Sequence, residues 1–192
     1  MQAGGVWRLW EAARVVANGG LIAYPTEGVV GLGCDPFRRD AVERLFALKR
    51  RSRSAGLIVI GAGFWQLEGL IGVLSEAARS RMAAHWPGPY TFVVPARARL
   101  PRWLARRDGT IAVRIPGHPL ARELCKWCGP LVSSSANRRG RRPARSMREA
   151  RLRLGGLVDF YLPGPVGDRP GPSAIIVAES GRELRPPAGR TH

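Results

Sequence analysis

Apolar positions recur along the chain in two periods, and the switching between them lays out the fold. Trp7, Trp10, Ala13 and Val16 follow helical spacing across residues 7–18, and Gly19-Gly20 ends the pattern. The short run Leu21-Ile22-Ala23-Tyr24 then reads as a buried strand stopped by Pro25. Thr26 to Gly33 is punctuated by glycines and reads as a loop or a bent strand. From Asp40 to Arg50, residues Ala41, Val42, Leu45, Phe46 and Leu48 mark an amphipathic helix. Leu57 to Ile60 is another buried strand, and one or two helices follow between Phe64 and His85.

Pro87-Gly88-Pro89 breaks the chain before a strand over Tyr90 to Val94. Thr110 to Ile115 predicts a strand, His118 to Cys128 a helix, Leu131 to Ser134 a strand, and Ala174 to Val177 the last clear strand. Two segments carry no such period. Asn137 to Arg145 reads as a loop, and Arg138 to Arg153 holds eight arginines against the single acid Glu149. Pro163 to Ser173 holds four prolines and three glycines. Segments of this kind inside a compact domain act as lids or mobile loops. Helices and strands interleave without repeats, so residues 1–192 read as one α/β domain: a single open, twisted sheet of mixed parallel and antiparallel strands with flanking helices.

Composition narrows the function. An apolar content of 45% fits a globular core. The longest nearly unbroken apolar stretch, Leu57 to Trp65, is too short to span a bilayer. Arg8, Glu11 and Arg14 interrupt any leader-like region, so a cytoplasmic location and no membrane contact are expected. Cys34, Cys125 and Cys128 are an odd set, and the C-x-x-C pair lacks a second Cys or His pair to complete a tetrahedral zinc site. We read it as two semi-buried thiols at a helix end and expect no metal site. The net charge of +17 predicts salt-dependent attraction to polyanions. Of 31 bases, 29 are arginines, partly a matter of codon usage, yet Lys49 stands inside an arginine cluster.

Phosphate-loop, dinucleotide and nucleophile-elbow motifs are missing from the sequence, as is any arrangement for His-based or paired-carboxylate catalysis. Three short elements carry the candidate chemistry. Pro25-Thr26-Glu27-Gly28 follows a strand, and its hydroxyl and glycines suit a ligand held against the backbone, or simply a strand-end turn. Lys49 and Arg51, in Lys49-Arg50-Arg51-Ser52-Arg53, either converge on phosphate oxygens or cap a helix C-terminus. In Ser133-Ser134-Ser135-Ala136-Asn137, alternation puts Ser133, Ser135 and Asn137 on one face, as phosphate or ribose ligands or as a polar turn.

Together these elements resemble the YrdC/TsaC family of threonylcarbamoyl-AMP synthases. The resemblance rests on Leu-Ile-Ala-Tyr-Pro-Thr-Glu-Gly, Gly-Leu-Gly-Cys-Asp-Pro, Leu-Lys-x-Arg, Trp86-Pro87-Gly88-Pro89, Ala112-Val113-Arg114, Ser-Ser-Ser-Ala-Asn and Pro172-Ser173, in that order from about residue 8 to 187. It implies condensation of L-threonine, bicarbonate and ATP into threonylcarbamoyl-AMP with release of pyrophosphate. The product then goes to partner proteins that modify the adenosine beside the anticodon of certain tRNAs.

By position, the resemblance makes Lys49, Arg51, Thr110, Ser135, Asn137 and Arg185 ligands of ATP, with Lys49 and Arg51 catalytic. It makes Thr26, Arg114, Ser133 and Ser173 ligands of L-threonine. Mg²⁺ would arrive with ATP and have no dedicated protein site. Three positions depart from the family pattern: Val30 where an aromatic is usual, Ser52 where proline is, and Arg138-Arg139-Gly140 where Ser-Gly follows. The Val30 departure bears on the pocket wall.

Two rival readings fit the same residues. One is an RNA-binding module built on the Arg138 to Arg153 cluster with Arg97, Arg99, Arg102, Arg106 and Arg107. The other is the similar domain of hydrogenase-maturation carbamoyltransferases, which are longer and carry zinc-finger-like and acylphosphatase segments.

Overall fold

Strand alternation builds one sheet whose two faces have different fates. In the computed structural model, which describes residues 3–50 and 56–187, the strands are β1 (Ile22–Pro25), β2 (Val30–Cys34), β3 (Ile58–Ile60), β4 (Tyr90–Pro95), β5 (Thr110–Arg114), β6 (Leu131–Ser135), β7 (Phe160–Tyr161), β8 (Ala174–Val177) and β9 (Glu183–Arg185). Their order is β7-β1-β2-β6-β3-β5-β4-β8-β9. β1–β7, β3–β5 and β4–β8 are parallel pairs and the remaining neighbours antiparallel, so the sheet is mixed as expected. The helices are α1 (Ala3–Ala17), α2 (Arg39–Lys49), α3 (Phe64–Leu67), α4 (Glu76–Ala83), α5 (Pro119–Cys128) and α6 (Met147–Leu154).

On one face Leu32, Val59, Phe92, Val113, Val132 and Ile176 join a buried cluster with Leu45 of α2, Met82 of α4 and Leu154 of α6. This face is covered nearly from edge to edge. The alternate residues Ile22, Tyr24, Ile60 and Leu131 pack under Leu9, Ala12 and Val16 of α1 and Leu124 of α5. That second cluster takes no residue from β5, β4, β8 or β9 among the described residues. Helical cover on this face therefore stops at β3 and leaves the far half of the sheet without a helix.

Local chemistry sets the element ends. Ser75 caps α4 by accepting from the Ala78 amide at 3.1 Å, and Ser146 caps α6 by accepting from Glu149 at 3.1 Å. Pro119 opens α5, and Arg50 closes α2 in the left-handed region.

Five features differ from the sequence expectation. α1 begins earlier than residue 7. Thr26 to Gly33 runs into the regular strand β2, because Gly31 and Gly33 serve packing rather than bending. A Cβ at either would lie 2.9 Å from the buried Tyr24 ring. The arginine-rich stretch holds α6, whose Ala150 and Leu154 reach the core while its arginines stay outside. The short edge strands β7 and β9 carry too few residues to show a period. Val30 sits fully buried in the cluster on the covered face, so this departure from the family pattern concerns the core and not the pocket wall.

Gly33 tests this packing. A methyl group there meets the Tyr24 ring and, at 3.0 Å, the Val132 carbonyl of the adjacent strand. Gly33→Ala should cost about 1–3 kcal/mol by overpacking, read as a lower urea midpoint with an unchanged slope; an unaltered midpoint contradicts the account.

Candidate functional site

The uncovered part of this face, together with Gly31 of β2, Ile58 of β3 and the Ser133–Ser135 end of β6 at its border, floors a cleft. It is lined by the Thr26–Val29 loop, Gly31, Ile58, Ala112, Arg114, Ser133 to Ser135, Gly171 to Ser173, Ile175, Arg106 and Arg185. β6 shows how one strand serves two environments. Leu131 is buried beneath the helices, whereas Ser133 and Ser135, two and four residues on, point the same way into the cleft. At the border the Tyr24 hydroxyl donates to Ser133 Oγ at 2.7 Å. Burial pushes the Tyr24 phenol far above its ordinary range, so it stays a neutral donor.

Arg114 ends β5 almost fully buried. Its Nε donates to the Gly88 carbonyl at 3.0 Å and its Nη2 pairs with Glu27 Oε2. The other Glu27 oxygen accepts the Gly117 amide at 2.6 Å. Burial alone would raise the Glu27 carboxyl. The Arg114 charge, with hydrogen bonds from Arg114 and Gly117, outweighs it and holds the group below the ordinary carboxylate range.

Ser173 is also buried; its hydroxyl lies 2.9 Å from Thr91 Oγ1, and Arg185 Nε donates to its carbonyl at 2.8 Å. Thr26 Oγ1 donates to Val29 O at 2.7 Å, so the hydroxyl closes the very turn that was its alternative reading. The Pro163–Ser173 segment is strapped onto this loop by Gly167 N to Thr26 O and Arg169 N to Glu27 O, both 2.9 Å.

Six of the ten sequence candidates thus share the cleft: Thr26, Arg114, Ser133, Ser135, Ser173 and Arg185. Lys49 and Asn137 stand behind it. Lys49 Nζ donates to the carbonyls of Ser135 and Asn137, the latter at 2.9 Å, and to Asn137 Oδ1 at 3.2 Å. Asn137 Oδ1 also accepts from Ser135 Oγ at 2.6 Å, and its Nδ2 donates to Arg141 O at 2.6 Å. The expected shared face therefore ends at Ser135, because Asn137 turns back to brace the loop. Thr110 lies off the cleft, since its hydroxyl donates to Asp108 at 2.6 Å. Arg51 and Ser52 lie outside the described residues.

Sequence reasoning assigned no role to Glu27 and placed Arg106 with the RNA-facing arginines. A carboxylate directly after a strand, in a chain so rich in arginine, was the available signal for Glu27. Cys125 and Cys128 lie in the last turns of α5, and burial pushes the Cys128 and Cys34 thiols each up to about 12, which favours the protonated thiol. Among the described residues no three His, Cys, Asp or Glu side chains are placed to hold a metal ion, and no helix is long and apolar enough to cross a membrane.

The Sua5/YciO/YrdC domain, described as "Telomere recombination", matches residues 14–186. The chain belongs to the Sua5/YciO/YrdC family. A relative named threonylcarbamoyl-AMP synthase, from Nitrosococcus oceani, is 50% identical over 180 residues, covering 93% of this chain and 97% of the relative. Sua5 of P. abyssi superposes with a TM-score of 0.89 at 32% identity, over 95% of this chain. This chain spans only 57% of that Sua5. A second P. abyssi Sua5 structure, complexed with L-threonine, matches 89% of this chain with a TM-score of 0.84 at 32% identity, over 51% of that chain. Full-length HypF shares the fold at 18% identity with a TM-score of 0.76, over 92% of this chain and 28% of its own.

The buried ion pair gives this family member a testable acid response. Above the ordinary carboxylate value of 4.5 the pair's stabilisation is fully present; it is lost as pH falls through the lower folded value. Thermal midpoints should therefore drop more steeply below that pH for the natural protein than for Glu27→Gln. Parallel curves would count against an ionised Glu27.

Proposed function

We propose that this chain condenses L-threonine, bicarbonate and ATP into threonylcarbamoyl-AMP with release of pyrophosphate, for threonylcarbamoyladenosine modification of tRNA next to the anticodon. One observation carries the reading: a single cleft unites a buried arginine and hydroxyls, suited to an amino acid, with cations and hydroxyls suited to phosphates. The 50% identity to a synthase along nearly all of both chains supports it. On this reading Arg114, Thr26, Ser133 and Ser173 take L-threonine, with the guanidinium on its carboxylate. Ser135, Asn137, Arg185, Lys49, Arg51 and Thr110 serve ATP. Of these, Lys49 and Asn137 shape the Ser135 loop, and the Thr110 carbonyl accepts the Arg106 amide at 2.7 Å.

Catalysis on this account is positioning and charge neutralisation. The threonine amine and bicarbonate give an N-carboxy species with loss of water; its carboxylate attacks the α-phosphate and displaces pyrophosphate, and two anions meet only where cations already stand. Glu27, the one carboxylate lining the cleft among the described residues, is committed to Arg114. It is therefore neither an available base nor a ligand for a resident metal. Mg²⁺ bound to the triphosphate would add charge neutralisation there. Loss of one preorganised donor commonly costs about 100- to 1,000-fold in rate. Lys49→Ala should accordingly abolish nearly all threonine- and bicarbonate-dependent pyrophosphate release. Near-normal turnover would refute the role of Lys49, and threonine-independent release by the natural protein would refute the activity itself.

The positive charge has a place in the same reading. Arg138, Arg141, Arg142 and Arg153 border a second hollow beside Asn137. We assign it to attraction of the tRNA phosphate backbone near the proteins that receive the adenylate. Arg141→Ala with Arg142→Ala should flatten the slope of log affinity for tRNA against log salt by roughly one to two and leave pyrophosphate release intact. An unchanged slope argues against this surface.

A further inference from the structure

We propose that Glu27 is the positioning residue that sets how Arg114 meets the amino-acid substrate, an inference that rests on reading the cleft as a threonine site. A guanidinium is a planar fork, useful for a carboxylate only when its plane is fixed. Arg114 is fixed from two sides: Gly88 O takes Nε at 3.0 Å, and the Glu27 carboxylate takes Nη2. Glu27 is itself held at three points. Its Oε1 accepts the Gly117 amide at 2.6 Å, its backbone carbonyl accepts the Arg169 amide at 2.9 Å, and the next residue is pressed under the strap. A Cβ on Gly28 would lie 2.3 Å from Gly171 O, so only glycine permits that approach.

The restraint thus runs from the Pro163–Ser173 strap through Glu27 to the guanidinium. The turn at Gly117 and the Gly88 loop serve as the other two abutments. A substrate carboxylate meets an arginine whose orientational freedom was already lost in folding, which favours binding without any change in the chemical step. The carboxylate also balances the buried cation, so Arg114 need not turn toward water.

Steady-state kinetics and calorimetric binding of L-threonine on the full chain test this. Glu27→Gln keeps the shape and removes the charge. It should raise KM and Kd for L-threonine about tenfold to a hundredfold, while kcat and the KM for ATP stay within about twofold, a split that maps to lost ground-state positioning. Glu27→Asp, charged but shorter, should recover part of the threonine affinity; it also carries the test alone where the Gln variant does not fold. An unchanged threonine KM in either variant overturns the inference, as does an equal rise in both KM values. Natural protein that binds no threonine overturns the reading of the site beneath it, whereas natural protein that binds threonine no better than Glu27→Gln overturns only the role of Glu27.

Discussion

Helix cover on one face of the sheet ends at β3, and the site depends on that limit. The opposite face is sealed by a continuous apolar cluster, so most of its alternate residues are hydrophobic. On the partly covered face the same alternation yields Ile22, Tyr24 and Leu131 beneath α1 and α5, then Ser133 and Ser135 at the far end of β6, past the edge of the helices, and Ala112 and Arg114 on the bare β5. Tyr24 is the seam between the two. Its ring occupies the space above Gly31 and Gly33, and its hydroxyl reaches out of the core to Ser133. Core and cleft are therefore parts of one packing solution.

The polar groups of the cleft are held before any ligand arrives. Arg114 is fixed by Glu27 and Gly88 and Arg185 by the Ser173 carbonyl, while Lys49, behind the cleft, is held by the Ser135–Asn137 loop. Cations prepared in this way suit a reaction between anions, since little reorganisation is needed as charge develops. The same features explain why acid–base machinery is sparse: His118 is turned to the Pro165 carbonyl, and the buried thiols titrate far above neutrality.

Much of this was legible in the residues, for identifiable reasons. The α2 helix and the strands β3 to β6 and β8 announce themselves because each buries a face with a regular period. Ser133 and Ser135 were readable as neighbours because strand alternation is local. β2 was obscured because the positions it turns toward Tyr24 are glycines, whose purpose depends on a ring contributed by another strand. α6 was hidden under its arginines, although Ala150 and Leu154, four apart, marked its buried side. Partnerships distant in sequence were out of reach: Lys49 with Asn137 lies 88 residues away, and Glu27 with Gly117 lies 90. The partner of Thr110 was equally hidden: its hydroxyl, of the right type for a nucleotide contact, donates to Asp108 two residues before it.

The central claim is that one cleft joins an amino acid, bicarbonate and a nucleotide. The most direct measurement is mass spectrometry of the nucleotide product after incubation with ATP, Mg²⁺, L-threonine and ¹³C-bicarbonate. The account requires an adenylate that carries both the threonyl group and the carbon label. AMP or ADP alone, or an adenylate without the label, would contradict it.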